Sequence, residues 1–156
     1  MKVLGIDPGY ERLGIAILEG DANKQHVLHS ECFTPLAKEF IPRLGECVAQ
    51  VGKIIKEFEP TSAAFENLFV TANQKTAMRV SEVRGALLSL AHERGLSVAE
   101  YTPSAVKAAV TGYGKSDKRA VTEMLHRLLS FSVKKTHDDE YDAIAVALTH
   151  MVSSRL

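Results

Sequence analysis

The sequence has little of what marks several large classes of protein. Cysteine occurs only twice in 156 residues, as Cys32 and Cys47, so the chain shows neither a disulfide framework nor a thiolate metal site. We expect both thiols to be packed. No internal repeat, low-complexity stretch or linker divides the chain, and its length suits a single hydrophobic core. We therefore predict one domain over residues 1–156.

Long apolar runs are missing as well. None approaches the roughly 18 to 20 residues that a membrane-spanning helix needs. The first residues, Met1–Leu4, lead directly into a strand-like run and lack the features of a signal peptide. We therefore expect a cytoplasmic protein that has no membrane partner.

Net charge is absent because 19 basic and 19 acidic residues cancel. Taken alone, this balance is weak evidence against a protein that neutralises phosphate. The distribution is uneven, however. Residues 102–136 contain seven Lys or Arg and two Asp or Glu, seven minus two giving a local net charge of +5. A basic segment is thus embedded in a neutral chain.

The apolar pattern predicts elements in the order βββαβαβααα. Short apolar runs bounded by turn residues predict strands at 3–6, 13–18, 27–33, 63–65 and 96–101. Apolar residues at three- and four-residue steps predict helices over 44–58 and 77–91. Three further helices are expected after the N-cap candidates Thr102, Ser116 and Thr136. An antiparallel start followed by strand-helix alternation predicts an α/β fold, a five-stranded mixed sheet flanked by helices.

Two acidic residues stand at strand ends and two more lie in the last predicted helix. Asp7 and Glu66 each follow a buried strand, where open α/β sheets place their ligands. Asp139 and Asp142 are three residues apart and therefore project from one helical face. Alanines at the positions after Asp142 would let this helix pack close to the sheet. Whether the two pairs meet depends on that docking.

If the four carboxylates converge, they favour a divalent cation. Like charges about 4 Å apart repel by roughly 4 kcal/mol at an effective dielectric constant of 20. Ligands that are all oxygen point to Mg²⁺ or Mn²⁺ and away from zinc. Two such ions would suit in-line hydrolysis of a phosphodiester.

Each acid also has a simpler interpretation. Asp139 follows Thr136 by three residues and fits a capping-box-like role, while Asp138 complements the helix dipole. Asp7 alone fits the first position of an Asp-Pro-Gly turn, and Glu66 alone fits a solvated strand end. The pattern of the whole set, more than any one residue, indicates a metal site.

Six short motifs taken together resemble the RuvC family of Holliday-junction resolvases. In chain order they are Gly5-Ile6-Asp7-Pro8-Gly9, Phe65-Glu66-Asn67-Leu68-Phe69, Arg84-Gly85-Ala86, Pro103-Ser104 to Lys107, Thr111-Gly112-Tyr113-Gly114 through Lys118, and Asp139 to Asp142-Ala143. Their order and spacing match along nearly the whole chain. The resemblance implies an RNase H-like fold and a homodimer. It also implies paired symmetric nicks across four-way junction DNA, during homologous recombination and repair, alongside branch-migration helicase machinery.

The resemblance further implies roles for single residues. The residues that match the family's catalytic metal ligands are Asp7, Glu66, Asp139 and Asp142, which would hold Mg²⁺, with Mn²⁺ as a substitute and two ions per site. Phe69 matches an aromatic residue that stacks on an unpaired base at the crossover, which is reasonable because any base has a π-face. An ordinary core phenylalanine is the alternative.

Basic and amide residues complete the predicted DNA-binding set. Lys107 and Lys118 match family lysines near the scissile phosphate, where a cation can hold the backbone or offset developing charge. The predicted phosphate contacts near the junction centre lie on or next to the helix after Glu66, and are Asn73, Lys75, Arg79 and Arg84. For Arg79, a solvated helix face is an equal alternative.

Three alternatives stay open at this point. His137 or Asp138 could share the role given to Asp139, although Asp138 is rotated by about 100° around the helix. The protein could be a less selective RNase H-like nuclease that acts on RNA-DNA hybrids or duplex ends. It could also be a non-catalytic member of the wider fold that binds a nucleotide phosphate with its Asp7-Pro8-Gly9 turn.

Overall fold

The computed structural model describes residues 1–21, 23–68, 73–129, 131 and 137–154. Within these ranges, five strands and five helices follow one another in the predicted order. The strands are β1 (Lys2–Asp7), β2 (Leu13–Gly20), β3 (Gln25–Phe33), β4 (Ser62–Glu66) and β5 (Ser97–Tyr101). The helices are α1 (Phe40–Phe58), α2 (Gln74–Glu93), α3 (Pro103–Thr111), α4 (Lys118–Leu128) and α5 (Asp138–Ser153).

The strands form one mixed sheet in the order β3-β2-β1-β4-β5. The first three strands pair antiparallel, because only short turns join them. β4 is parallel to β1 and β5 is parallel to β4, and the chain enters these two strands from α1 and α2 respectively. The predicted five-stranded mixed sheet flanked by helices is therefore confirmed.

Helices cover both faces of the sheet. Successive residues of β1 point to opposite faces, so Val3 belongs to the core shared with α3, α4 and α5. Leu4 and Ile6 belong to the core shared with α1 and α2. Across the described ranges, no helix combines the length and apolar character required to cross a bilayer.

The predicted helix starts were correct in some places and wrong in others. Thr102 caps α3 as predicted, by accepting a hydrogen bond from the Ala105 amide at 3.1 Å. Ser116 does not cap α4, because Asp117 takes that position and accepts from the Ala120 amide at 2.8 Å. The Ser116 hydroxyl instead lies 2.7 Å from the hydroxyl of Thr111.

Two other starts differ from prediction. α1 begins at Phe40, four residues early, because its first turn accommodates Pro42, which there needs no backbone hydrogen bond. The N-cap position of α5 is His137, which makes no side-chain capping bond. The predicted cap Thr136 lies outside the described residues.

α5 packs unusually close to β1 and β2 because two glycines face it. A Cβ atom on Gly5 would collide with the carbonyl oxygen of Ala143, and one on Gly14 would collide with that of Asp139. Small residues on both sides thus let helix backbone touch strand backbone. The first turn of α5 is thereby fixed beside the end of β1.

Candidate active site

Asp7 and Glu66 lie side by side at one edge of the sheet. β1 and β4 are parallel, and Ile6 pairs with Phe65 in their register. The next residue of each strand is therefore an acid that leaves the sheet at the same edge. This arrangement is the one predicted from the two strand-end positions.

α5 brings a third carboxylate to this edge. Asp142 lines the same cleft of about 400 Å³ as Asp7 and Glu66. α3 and the start of α4 also line the cleft and contribute Lys107 and Lys118. The cleft therefore brings together three acids from three elements and two lysines.

Asp7 is electrostatically the most perturbed residue of the cleft. Its pKa is raised to about 8, first by burial, then by the charges of Asp142, Glu66 and Asp139, with Lys118 opposing the shift. Burial disfavours the charged carboxylate, and each neighbouring carboxylate adds to that penalty. Without a cation, this side chain holds its proton near neutral pH.

The other ionisable groups of the cleft show the same excess of acids over bases. Burial, followed by the charge of Asp142, raises the pKa of Glu66, and burial also raises that of Asp142. Lys118 donates a hydrogen bond to Asp142 Oδ2 at 3.2 Å. Burial alone would lower the pKa of Lys118, but the charge and hydrogen bond of Asp142 outweigh it and raise that pKa. One lysine thus only partly neutralises three acids.

The donor set of the cleft fits a hard divalent cation. It offers carboxylate oxygens, the ligands that Mg²⁺ and Mn²⁺ prefer, and its raised carboxyl pKa values indicate a deficit of positive charge. Within the described ranges, however, no three His, Cys, Asp or Glu side chains come together closely enough to form a ready-made metal site. The acids that would hold an ion are Asp7, Glu66 and Asp142.

Asp139, the fourth predicted ligand, does not line this cleft, although its charge contributes to the raised pKa of Asp7. Its Oδ2 atom lies 3.1 Å from Nε of Arg12, on the loop between β1 and β2. The Sγ atom of Cys32 is 3.8 Å from the same oxygen. His137 lies beside Arg12, with its Nδ1 atom 3.3 Å from Nη1. Neither Asp139 nor His137 is among the residues that line the acidic cleft.

The remaining predicted DNA-binding residues occupy several environments. Asn73 caps α2 by accepting from the Thr76 amide at 3.3 Å, and Lys75 is exposed in the first turn of that helix. Arg79 pairs with Glu82 at 2.9 Å, and its guanidinium carbon lies 4.0 Å from the centre of the Phe40 ring. The predicted stacking residue Phe69 lies outside the described residues.

Arg84 is bound within the protein. Its guanidinium pairs with Glu100 of β5 and donates to Asn67 Oδ1 at 3.1 Å. Its Nε atom is buried without a hydrogen-bond partner among the described residues. Because Asn67 follows Glu66 directly, this contact ties the end of β4 to its neighbour β5. The phosphate contact predicted for Arg84 stays a prediction, and in this structure its guanidinium is engaged by Glu100 and Asn67.

Sequence reasoning missed Arg12 and Asn67. No local sequence pattern marks either residue, because each acts through a partner far away in the chain. Arg12 pairs with Asp139, and Asn67 accepts a hydrogen bond from Arg84. By contrast, a pattern in the sequence did mark the two glycines that let α5 pack close to the sheet. Gly5 and Gly14 interrupt buried strands, a pattern that often marks close approach of another backbone.

Comparison with known proteins agrees with the family resemblance. Residues 3–150 match the family model described as crossover junction endodeoxyribonuclease RuvC. A curated protein of that name from Finegoldia magna is 44% identical, with 99% of this chain and 95% of the relative covered. One from Thermosipho melanesiensis is 40% identical, with 99% of each chain covered. The resemblance predicted from the motifs is confirmed.

Solved structures confirm the predicted fold. T. thermophilus RuvC in complex with Holliday junction substrate superposes with a TM-score of 0.92 at 33% identity, covering 99% of this chain and 95% of that one. The yeast mitochondrial Holliday junction resolvase Ydc2 superposes with a TM-score of 0.72 at 16% identity, covering 96% and 77%. The second similarity concerns the fold alone. The RNase H-like architecture is thus confirmed.

Proposed function

Because the chain belongs to the RuvC family of crossover junction endodeoxyribonucleases, we propose that it resolves Holliday junctions by paired symmetric hydrolysis of two phosphodiester bonds. The reaction would serve homologous recombination and DNA repair. The observation that supports this proposal best is the cleft that is lined by Asp7, Glu66 and Asp142 and by Lys107 and Lys118. Acids suited to a cation and lysines suited to a phosphate are the two halves of a nuclease site.

We infer that the nuclease is metal-dependent, as family membership implies, and that Mg²⁺ is its ion. Asp7, Glu66 and Asp142 would hold the metal, with Asp139 as a fourth ligand, and Mn²⁺ would substitute. When bound, the metal supplies an activated water for attack on phosphorus and offsets charge on the phosphate. Two ions per site remain part of the proposal.

The chain's own residues prepare the cleft for the phosphate. The buried carboxyl of Asp7 must give up its proton before it can bind a cation, which burial and neighbouring charge make difficult near neutral pH. Lys118 can exchange its contact with Asp142 for a substrate phosphate. Lys107, which lines the same cleft, would hold the next part of the backbone.

The rest of the proposal concerns the assembly. A homodimer would present two identical sites related by two-fold symmetry, which matches the two equivalent strands of a four-way junction. Phe69 would stack on an unpaired base at the crossover. Branch-migration helicase machinery as a partner and a cytoplasmic location stay predictions from sequence.

A substrate panel tests the proposal. The protein would be incubated with Mg²⁺ and one of three labelled substrates: a four-way junction, a linear duplex of the same sequence, or an RNA-DNA hybrid. We expect symmetric nicks in the junction that a ligase can reseal, and little cleavage of the other two. Equal cleavage of all three would support the less selective nuclease and contradict junction selectivity.

A further inference from the structure

The carboxylate of Asp139 is held by Arg12 and is not among the residues that line the acidic cleft, although its charge still acts on Asp7. With Arg12 and Gly9, it lines a separate depression in the surface. Its backbone, by contrast, lies against Gly14, where a Cβ atom would be 3.2 Å from the Cβ atom of Asp7. Its backbone is therefore already beside Asp7, while its carboxylate is engaged by Arg12 and does not line the predicted metal site.

Arg12 is the cation that holds this carboxylate. Its ion pair with Asp139 is 3.1 Å long, and about half of the arginine side chain, 48%, is exposed to solvent. The next arginine in space, Arg43, is used differently. It donates to the backbone oxygens of Tyr10 and Glu11, at 3.3 and 3.2 Å, and so anchors the loop. Arg43 fixes the loop, whereas Arg12 presents an exchangeable guanidinium on it.

A DNA phosphate can compete for the guanidinium of Arg12. A guanidinium binds carboxylate and phosphate oxygens with the same planar geometry. The pair is partly exposed, with 48% of the Arg12 side chain and 23% of the Asp139 side chain accessible, and ion pairs that solvent can reach are weak enough to be exchanged. Arg12 also lines a second, neighbouring depression, which contains Lys38 and is not lined by Asp139, so a phosphate that approaches Arg12 from that side meets a second positive charge.

We propose that Arg12 is a positioning residue that keeps Asp139 out of the metal site until a phosphate of the bound DNA takes its place. This inference rests on the proposed function, because it needs a DNA substrate and a metal site formed by the acids. Release of Asp139 completes the set of four carboxylates. Binding of the junction and binding of the metal thus assist each other.

The first test measures metal affinity in the absence of DNA. Mn²⁺ would be titrated into the free protein and into the Arg12→Gln variant, with electron paramagnetic resonance to count unbound metal. We expect the variant to bind Mn²⁺ about fivefold more tightly, the upper range of an exposed ion pair. An unchanged or weaker affinity would overturn the proposal.

Two controls separate the contact from a general effect of charge. Lys38→Gln removes one positive charge from the neighbouring depression that Arg12 also lines, and we expect less than a twofold change in Mn²⁺ affinity. In an Asp139→Asn background, Arg12→Gln should no longer tighten metal binding, because no carboxylate is left to release. The same tightening in both backgrounds would mean that Arg12 does not act through Asp139, contrary to the proposal.

The second test measures junction binding in chelator. If Arg12 contacts a phosphate, Arg12→Gln should weaken junction affinity and reduce the slope of log affinity against log salt by about one. An unchanged slope would exclude the exchange step. None of these measurements depends on cleavage of DNA by the protein. Failure of the proposed function would appear separately, as wild-type protein that does not cut four-way junctions.

Discussion

At the scale of single residues, Asp7 explains most of the site's electrostatics. Burial is the largest cause that raises its pKa to about 8, and like charges add to it. An unfolded chain would release this proton near pH 4. Between these two values the folded state binds more protons, so the free energy of unfolding falls as pH rises. Without a bound metal, the buried acids of the cleft therefore lower the free energy of unfolding as the pH rises.

The pH dependence of stability tests whether the Asp7 carboxyl destabilises the metal-free protein. In chelator, we expect the free energy of unfolding of the wild type to fall between pH 5 and pH 8. Asp7→Asn should flatten this dependence and stabilise the metal-free protein at pH 8 by roughly 1–2 kcal/mol. Urea unfolding at several pH values measures both effects. Glu57→Gln, on the exposed side of α1, is the control and should keep the wild-type slope. If the free energy of unfolding of Asp7→Asn falls with pH as steeply as that of the wild type, Asp7 is excluded as the cause of the pH dependence.

Basic residues near the site have separate roles that mutation can distinguish. Arg84 holds Glu100 and Asn67, whereas Lys75 is exposed at the start of α2. We expect Arg84→Ala to lower the free energy of unfolding by about 1–2 kcal/mol, because it leaves charged and polar partners without their donor. Lys75→Ala should change stability by less than about 0.5 kcal/mol. Thermal and urea unfolding measure the difference, and equal stabilities would contradict the assignment.

At the scale of elements, the decisive feature is how closely α5 approaches the sheet. Helical spacing predicted that Asp139 and Asp142 share a face, and the strand ends predicted Asp7 and Glu66 at one edge. The docking itself depends on backbone contacts at Gly5 and Gly14, far from α5 in sequence. Periodicity is a local property and does not encode such contacts. The structure therefore brings Asp142 to the cleft but turns Asp139 towards Arg12.

A matched pair of glycine substitutions tests the docking. Gly14→Ala should lower the free energy of unfolding by about 2 kcal/mol or more and reduce metal affinity, because the new methyl group meets the backbone of Asp139. Gly45→Ala makes the same chemical change in α1, where no other part of the described chain lies within 4 Å of the new Cβ. That variant should gain about 0.5–1 kcal/mol. Similar effects of the two substitutions would contradict close docking of α5.

The order of elements was predictable, but several element ends were not. Alternation and helical spacing are repeated over many residues, so single exceptions do not hide them. A cap depends on one side chain, and Ser116 and Asp117 are both good candidates, so sequence alone could not choose between them. The structure selects Asp117, since Ser116 is engaged with Thr111.

At the scale of the whole molecule, the positions of the charges say more about function than the net charge does. The chain is neutral overall, yet one cleft collects acids that suit a cation and lysines that suit a phosphate. We expect junction binding in chelator to weaken about 100-fold between about 50 and 200 mM salt, as four phosphate contacts imply. These four contacts are Lys75, Arg79, Lys107 and Lys118, and a phosphate at Arg12 would add a fifth contact and steepen the dependence. Fluorescence anisotropy measures this dependence, and an affinity that salt does not change would exclude a phosphate-binding surface.

The central claim is that the acids of the cleft hold metal for cutting DNA and are not needed for binding it. The most direct measurement compares wild type and Asp7→Asn on one labelled four-way junction with Mg²⁺, recording binding and cleavage separately. The account predicts that the variant binds the junction about as tightly as the wild type and cuts it at least about 100-fold more slowly, since even outer partners of metal ligands cost 10- to 100-fold. Cleavage by Asp7→Asn at the wild-type rate would contradict the account.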